Sequence, residues 1–275
     1  MSLLLAAENG AFHVPTLEEL FEFPAFLFED SAYFAFNRTA MLYLLAAAIV
    51  SGLMLKAFRN PSIVPGRFQT AMEAVVELVR NNIVVEVMGP KGLRYVPLLT
   101  SFFLFIFVNN FFEIAPFINF PPTGRMAMPA FLAFVVWTTF ILVGIKHQGL
   151  AYFKNAVVLP GVPFLLHFLL VPIEFISTFI VRPLTHAVRL FANMMAGHIL
   201  LAVAFLATNA FLIDFHTITS PQFLPSGWTG LLFGPLTLAG SVALVLFELL
   251  VALLQAYIFT ILAAVYIASS MEADH

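Results

Sequence analysis

Five apolar stretches of this sequence are each long enough to cross the hydrocarbon core of a membrane. That core is about 30 Å thick, and a helix needs roughly 20 apolar residues to span it. The composition agrees, because 61% of the 275 residues are hydrophobic and only 10% are charged. In a typical soluble domain, roughly a quarter of the residues are charged. The sequence therefore predicts an all-α polytopic membrane protein with about five crossings.

The charge balance and the lack of cysteine exclude several classes of protein. The chain has 12 Lys+Arg against 15 Asp+Glu and a net charge of -3, so it offers no basic surface to nucleic acid. With no cysteine it has no disulfide or thiolate metal site, and we expect no metal and no cofactor. The first residues lack the basic region of a signal peptide, so we expect residue 1 to begin the mature chain.

Charges flanking the stretches predict their orientation. Bases follow the first span and flank the next two on one side, which places that side in the cytoplasm. The acidic segment 1–38 and the N-terminus are then outside, and the C-terminus is cytoplasmic, which suits a bacterial plasma membrane. Within a membrane domain of 39–275, we expect an amphipathic interfacial helix at 65–88, with Gln69 on its polar face. The expected crossings are 39–55, 95–112, 127–145, 162–207 and 229–269.

The last two stretches, 162–207 and 229–269, are too long to stand upright. As helices they would be roughly 60 to 70 Å long at 1.5 Å per residue. They must tilt steeply, lie partly in the membrane plane or break. Pro172 and Pro183 offer bends in the first of them.

Arg189, near the centre of the first long stretch, is the charged residue that most requires a role. A charge at that depth costs about 2.5 to 3.5 kcal/mol on insertion scales. Side chains within about 60° of Arg189 on a helix form a face of polar and small residues. They are Arg182, His186, Asn193 and Ala196. This face predicts the close approach of another helix carrying an ionisable group. A structural ion pair of Arg189 and a structural or snorkelling role of Arg182 are the alternatives.

The second long stretch supplies the remaining ionisable groups. Its polar residues on one face are Glu248, Gln255 and Tyr266. Because the two stretches run in opposite directions, His198 and Glu248 fall outward of Arg189. On the same argument, Glu174 and Tyr266 fall inward. A guanidinium stays charged at any accessible pH and cannot relay a proton, so we expect Arg189 to be a barrier between an outer and an inner relay.

A purely structural role remains an alternative for several of these residues. His198 and Glu248 are also consistent with an inert buried pair. Gln255 is also consistent with a contact that only holds helices together, and Glu174 with an acid at the membrane interface.

Four segments closely resemble subunit a of the F-type ATP synthase. The similarity covers most of residues 60–270 in the family's order, and the RLFANM core with the downstream QAYIF segment is highly specific. The segments are VPGRFQTAMEAVVELV (64–79), FLFIFVNNFFEIAPF (103–117), RPLTHAVRLFANMMAGHIL (182–200) and LLQAYIFTILAAVYI (253–267). The resemblance implies a proton-conducting stator subunit that is no enzyme by itself. It also implies partners: a ring of c subunits, the b subunits and the rest of the synthase.

The resemblance assigns roles to particular residues. It implies that Arg189 faces the c ring, that Gln255 is the family's partner glutamine and that Asn193 is the asparagine of the core motif. His198 and Glu248 stand where many members have an acid and a histidine, so the pair looks exchanged and keeps one acid and one imidazole.

The resemblance also implies two offset paths for protons. Many members carry an acid in the outer loop where this chain has Arg125, so we expect Asp214 or Glu113 to substitute. The expected outer path comprises His198, Glu248, Asp214, Asn109 and Asn110. The expected inner path comprises Glu174, which matches the family's inner acid, with His186 and Tyr266.

Two other classes of protein are alternatives to this one. A cation-coupled secondary transporter also places ionisable residues at the membrane midplane, but such folds usually show internal repeats, and the sequence shows none. An intramembrane enzyme would need a catalytic set, and the HExxH and GxSxG motifs are absent. The GxxxxGK[ST] loop is absent too, so we expect no bound nucleotide.

Overall fold

The computed structural model of the chain describes residues 37–62, 64–158, 163–212 and 228–271. All regular secondary structure in these ranges is helical. The α-helices of five or more residues are α1 Arg38–Phe58, α2 Arg67–Val79, α3 Val96–Phe111, α4 Ala127–Gln148, α5 Ala151–Asn155, α6 Phe164–Ile176, α7 Arg182–Leu212 and α8 Trp228–Met271. Nearly all of the expected outer segment 1–38 lies outside the described residues.

Five helical segments in the described part of the chain are long and apolar enough to cross a membrane. They are Arg38–Phe58, Pro90–Phe111, Ala127–Gln148, Leu166–Ala210 and Phe233–Met271. A helix satisfies every backbone N–H and C=O within the segment, which a bilayer core requires because it contains no water. The predicted fold class, an all-α polytopic membrane protein with five crossings, is confirmed.

Helix ends follow local sequence signals. The side chain of Asn37 accepts a hydrogen bond from the backbone N–H of Ala40 and so caps the start of α1 at 3.0 Å. At the end of α4, Gly149 adopts a φ of 63°, which a glycine reaches without steric cost, and its N–H bonds to the carbonyl of Ile145.

The first long stretch runs as one continuous helical segment and does not break. Helices α6 and α7 are joined by a π-helical turn, Ser177–Val181, which ends two residues before Pro183. The segment Leu166–Ala210 has 45 residues, so it is about 67 Å long. That is roughly twice the thickness of the hydrocarbon core, as the expectation of a steep tilt requires.

Helix α2 departs from the expected pattern at Gln69. This side chain is buried instead of lying on the exposed face. Its Nε2 donates to Glu73 at 2.7 Å, and its Oε1 accepts from the backbone N–H of Ser62 at 3.4 Å. The expectation was wrong because Gln69 stands three residues before the buried Met72 and so shares its side of the helix, where the segment before α2 covers it.

Helix α8 lies at the centre of the packing. It packs against α7, α3 and α4, and α7 packs against α4 as well. Small residues on α8 are fully buried at these contacts, including Ala256, Ala263 and Ala264. In a membrane, small residues let helix backbones approach closely and gain van der Waals contact. The two long helices therefore form a tight antiparallel pair.

Candidate functional site

Arg189 lies on an exposed face of α7. It makes no hydrogen bond or ion pair with any of the described residues. Thr185, Ala192 and Ala196 are also exposed beside it, so the guanidinium stands on a face of small side chains. A permanent charge at this depth is costly without a partner.

The polar face predicted around Arg189 is divided in the structure. His186 is only 2% exposed, and its ring centroid lies 3.8 Å from that of Phe259 on α8. Asn193 is half-buried, and its Nδ2 has no hydrogen-bond partner among the described residues. The predicted polar face is therefore part exposed, at Arg189, and part buried, at His186. His186 and Asn193 are displaced by about 40 to 60° to the side that packs on α8, while Thr185 lies on the opposite side of Arg189.

Gln255 lies on α8 at the edge of the exposed surface. Its side chain is half-buried and makes no hydrogen bond with the described residues. The exposed surface of α8 extends from there round the helix, over Leu254, Leu250, Leu253 and Leu246.

His198 on α7 and Glu248 on α8 are brought into one buried cluster. Glu248 is 3% exposed, and its carboxylate packs against the backbone of α7. A Cβ atom added to Gly197 would lie 2.7 Å from Oε2 of Glu248. The glycine before His198 therefore leaves the space that this carboxylate occupies.

Glu113, in the loop after α3, joins the same cluster. It is 1% exposed, and neither carboxyl oxygen has a hydrogen-bond partner among the described residues. Burial, with a smaller contribution from the nearby Glu248, raises the pKa of Glu113 to about 8. From the sequence, Glu113 was predicted only as one of two residues to replace the acid that many family members carry in the outer loop. Its place directly after a span that ends in two asparagines was the available signal.

Asn109 and Asn110 are fully buried near the C-terminal end of α3. Oδ1 of Asn110 accepts a hydrogen bond from Thr123 at 2.8 Å, and Nδ2 of Asn109 donates to the carbonyl of Phe105 at 2.8 Å. The other amide atom of each has no partner among the described residues.

Two residues that the sequence did not single out pack on this cluster. The ring of Phe120 meets the His198 ring edge-on, with 5.9 Å between centroids. The Arg38 guanidinium lies 5.9 Å from the Phe120 ring centroid and donates to the carbonyl of Ile118. Periodicity gave no signal for these contacts, because the loop after α3 makes them. The predicted outer residue Asp214 lies outside the described residues.

On the other side of Arg189 the structure gathers a second group. The rings of His186 and Tyr266 have centroids 5.7 Å apart, and the Arg182 guanidinium lies 5.7 Å from the Tyr266 ring. Glu174, on α6, is half-buried and shares no hydrogen bond with them. The π-helical turn lies between Glu174 and Arg182.

The fold and these buried groups define a multi-pass integral membrane protein with ionisable side chains inside its helical bundle. The model of the ATP synthase A chain family matches residues 40–268. An ATP synthase subunit a from Rhodococcus erythropolis is 42% identical over 272 residues, covering 98% of this chain and 94% of the relative. The corresponding subunit from Pseudarthrobacter chlorophenolicus is 38% identical over 272 residues, covering 98% of this chain and 97% of the relative.

The chain belongs to the ATP synthase A chain family. The resemblance found in the sequence is thereby confirmed, and the protein is a membrane component of the F-type ATP synthase.

Proposed function

We propose that the chain is the proton-conducting stator of its ATP synthase, with Arg189 as the barrier between two offset half-channels. The observation that carries this proposal is the position of Arg189. Its guanidinium is exposed on a small-residue face and makes no ion pair with the described residues. Because an uncompensated charge is costly at that depth, its partner comes from another subunit.

The order of residues along α7 supports two separate paths. His198 lies nine residues beyond Arg189, which is about 13 to 14 Å along the helix axis, and His186 lies three residues before it. Glu248 belongs to the first side and Tyr266 to the second. The titratable clusters therefore stand on opposite sides of the permanent cation.

The outer half-channel comprises His198, Glu248 and Glu113, with Asn109 and Asn110 lining it. Buried polar atoms without protein partners are rare and are usually satisfied by ordered water. Such atoms concentrate here, on Glu113, Glu248 and the two asparagines. A chain of water between these groups passes protons toward the face that bears Arg189. We assign the mouth of this path to Asp214 from its place in the sequence.

The inner half-channel begins at His186 and Tyr266 and leads to Glu174. In this mechanism a proton arriving by the outer path neutralises a carboxylate on the c ring, which then rotates through lipid. After nearly a full turn the carboxylate reaches the inner path. There Arg189 favours the ionised form and so the release of the proton. Proton flow then requires rotation.

The surface that meets the ring is the exposed face of α7 and α8. Small residues such as Thr185, Ala192 and Ala196 surround Arg189, so a helix of the ring can approach closely. Gln255 borders this face and supplies a polar partner to the passing carboxylate. The b subunits and the remaining stator hold the chain in place, with its N-terminus outside and its C-terminus in the cytoplasm.

The test is proton pumping by the reconstituted ATP synthase with Arg189→Ala and Arg189→Lys. Both variants are expected to lose coupled transport while the complex still assembles. Lysine retains the charge but lacks the planar fork of donors that a carboxylate matches. Arg80→Ala is the matched control, because Arg80 is an exposed arginine at the end of α2, outside α7 and α8. Coupled transport that survives Arg189→Ala would contradict the proposal.

A further inference from the structure

The π-helical turn between α6 and α7 lies just before Pro183, and we attribute it to this proline. Pro183 has no backbone N–H, so it cannot donate to the carbonyl of Phe179, four residues earlier, as a regular α-helix requires. The turn Ser177–Val181 lies at this place. Its hydrogen bonds join residues five apart instead of four, such as the bond from the N–H of Arg182 to the carbonyl of Ser177.

Trp137, on the neighbouring helix α4, supplies a donor to this carbonyl. Its indole Nε1 donates to the carbonyl oxygen of Phe179 at 3.1 Å. The Phe179 ring packs between aromatic rings, with centroids 5.8 Å from Phe153 and 5.2 Å from Phe175. Trp137 therefore holds the backbone of Phe179 in this turn, and Phe153 and Phe175 hold its ring.

The turn determines how α7 is rotated about its axis. A π-helical turn takes up more residues than the 3.6 of an α-helix, so every side chain after it is rotated relative to those before it. Arg189 is seven residues beyond Arg182, or about two regular turns of rigid helix. A relaxation of the turn would therefore move Arg189 away from its exposed face and change its angle to Glu174.

We propose that Trp137 is a positioning residue for Arg189. Its indole N–H holds the turn before Pro183 in its wide form and so keeps the guanidinium on the face between the two half-channels. The inference rests on the proposed role of Arg189, which Trp137 itself does not contact. π-helical turns occur frequently at functional sites, in keeping with this role.

The test compares Trp137→Phe with Trp137→His in the reconstituted ATP synthase, measuring protons pumped per ATP hydrolysed and the passive leak. Phenylalanine keeps more apolar ring area but has no donor, whereas imidazole keeps a ring N–H. We expect Trp137→Phe to lower coupled pumping roughly two- to tenfold, the range for loss of one hydrogen bond, and Trp137→His to lower it less. A residue that acts only by packing would give the opposite order, and that result would overturn the proposal.

A second substitution keeps the test decisive if Trp137→Phe impairs assembly. Pro183→Ala, two residues after this turn, restores a backbone N–H that can donate to the carbonyl of Phe179 as in a regular α-helix. The double variant Trp137→Phe/Pro183→Ala is therefore expected to recover assembly but not coupling, because this bond favours the regular α-helical form over the wide turn. Assembly that does not recover would show that the Phe179 carbonyl needs no donor, and coupling that does recover would show that the wide turn is not needed. Either result would contradict the proposal. Phe134→Leu is the control, because Phe134 stacks on Trp137 at 5.7 Å and has no hydrogen bond with Phe179.

Arg189→Ala, measured in parallel, separates the two claims. Coupled transport that survives in Arg189→Ala refutes the proposed function. If it is lost there but the Trp137 variants pump like the unaltered complex, only the positioning role fails.

Discussion

At the scale of single residues, the protonation of Glu113 follows from its burial. The carboxyl group is removed from water and lies near a second carboxylate, so its neutral form is favoured and its pKa is about 8. The folded state holds this proton more tightly than the unfolded chain does. The stability that it contributes is therefore greatest at low pH and is lost as the pH rises through about 8.

We predict that Glu113 is protonated at pH 7. Infrared difference spectra of the purified complex should show a protonated carboxyl band that titrates near pH 8 and is missing in Glu113→Gln. Glu86→Gln, which alters an exposed acid, should leave this band unchanged. A band that titrates between pH 4 and 5 would show that the Glu113 site is hydrated like an ordinary surface carboxyl.

A methyl group at Gly197 should disturb the outer path. The added Cβ would lie 2.7 Å from the Glu248 carboxylate, which must then move away from α7. We expect Gly197→Ala to reduce coupled proton transport about tenfold, because forced repacking in a tight site typically costs 1–3 kcal/mol. Gly240→Ala on α8 is the control, since no atom lies within 4 Å of its new Cβ. Equal transport by both variants would show that Glu248 does not depend on this contact.

At the scale of helices, the sequence predicts the spans well because the membrane imposes one strong rule. Every backbone polar group must be paired inside the apolar region, so each long apolar stretch becomes a helix. The rotation of a helix about its axis is harder to predict from the sequence, because an error of about 60° in that rotation moves His186 from an exposed face to a buried one. Glu113 and Phe120 join the site through the loop after α3, and no periodic pattern describes a loop. Likewise, Trp137 meets the π-helical turn before α7 through the Phe179 carbonyl, whose availability depends on the later Pro183.

The connection between α4 and α5 depends on Gly144. The ring of Tyr152 packs directly on this glycine, and a Cβ atom there would lie 2.5 Å from ring carbons. We expect Gly144→Ala to destabilise the subunit by about 1–3 kcal/mol and to lower the midpoint of thermal unfolding in detergent. Gly52→Ala, in open space on α1, should be neutral or slightly stabilising. An unchanged midpoint for Gly144→Ala would mean that Tyr152 is free to move aside.

At the scale of the whole molecule, the two long helices organise the function. The segments Leu166–Ala210 and Phe233–Met271 are longer than a hydrocarbon core is thick, so they carry polar groups at several depths along one antiparallel pair. Their packed sides bury the two titratable clusters, and their exposed side presents Arg189. The proposed half-channels are therefore opposite ends of one helix pair. Their offset follows from the positions of His198 and His186 on either side of Arg189.

The most direct test of Arg189 as a barrier is passive proton flux through vesicles in which the c ring is cross-linked to the stator. With rotation blocked, the unaltered complex should conduct no protons, because the two paths meet only through the turning ring. The Arg189→Ala complex should leak under the same lock, while the Arg80→Ala complex should stay closed. A locked Arg189→Ala complex that remains tight would contradict the account, since the half-channels would then be separated without this guanidinium.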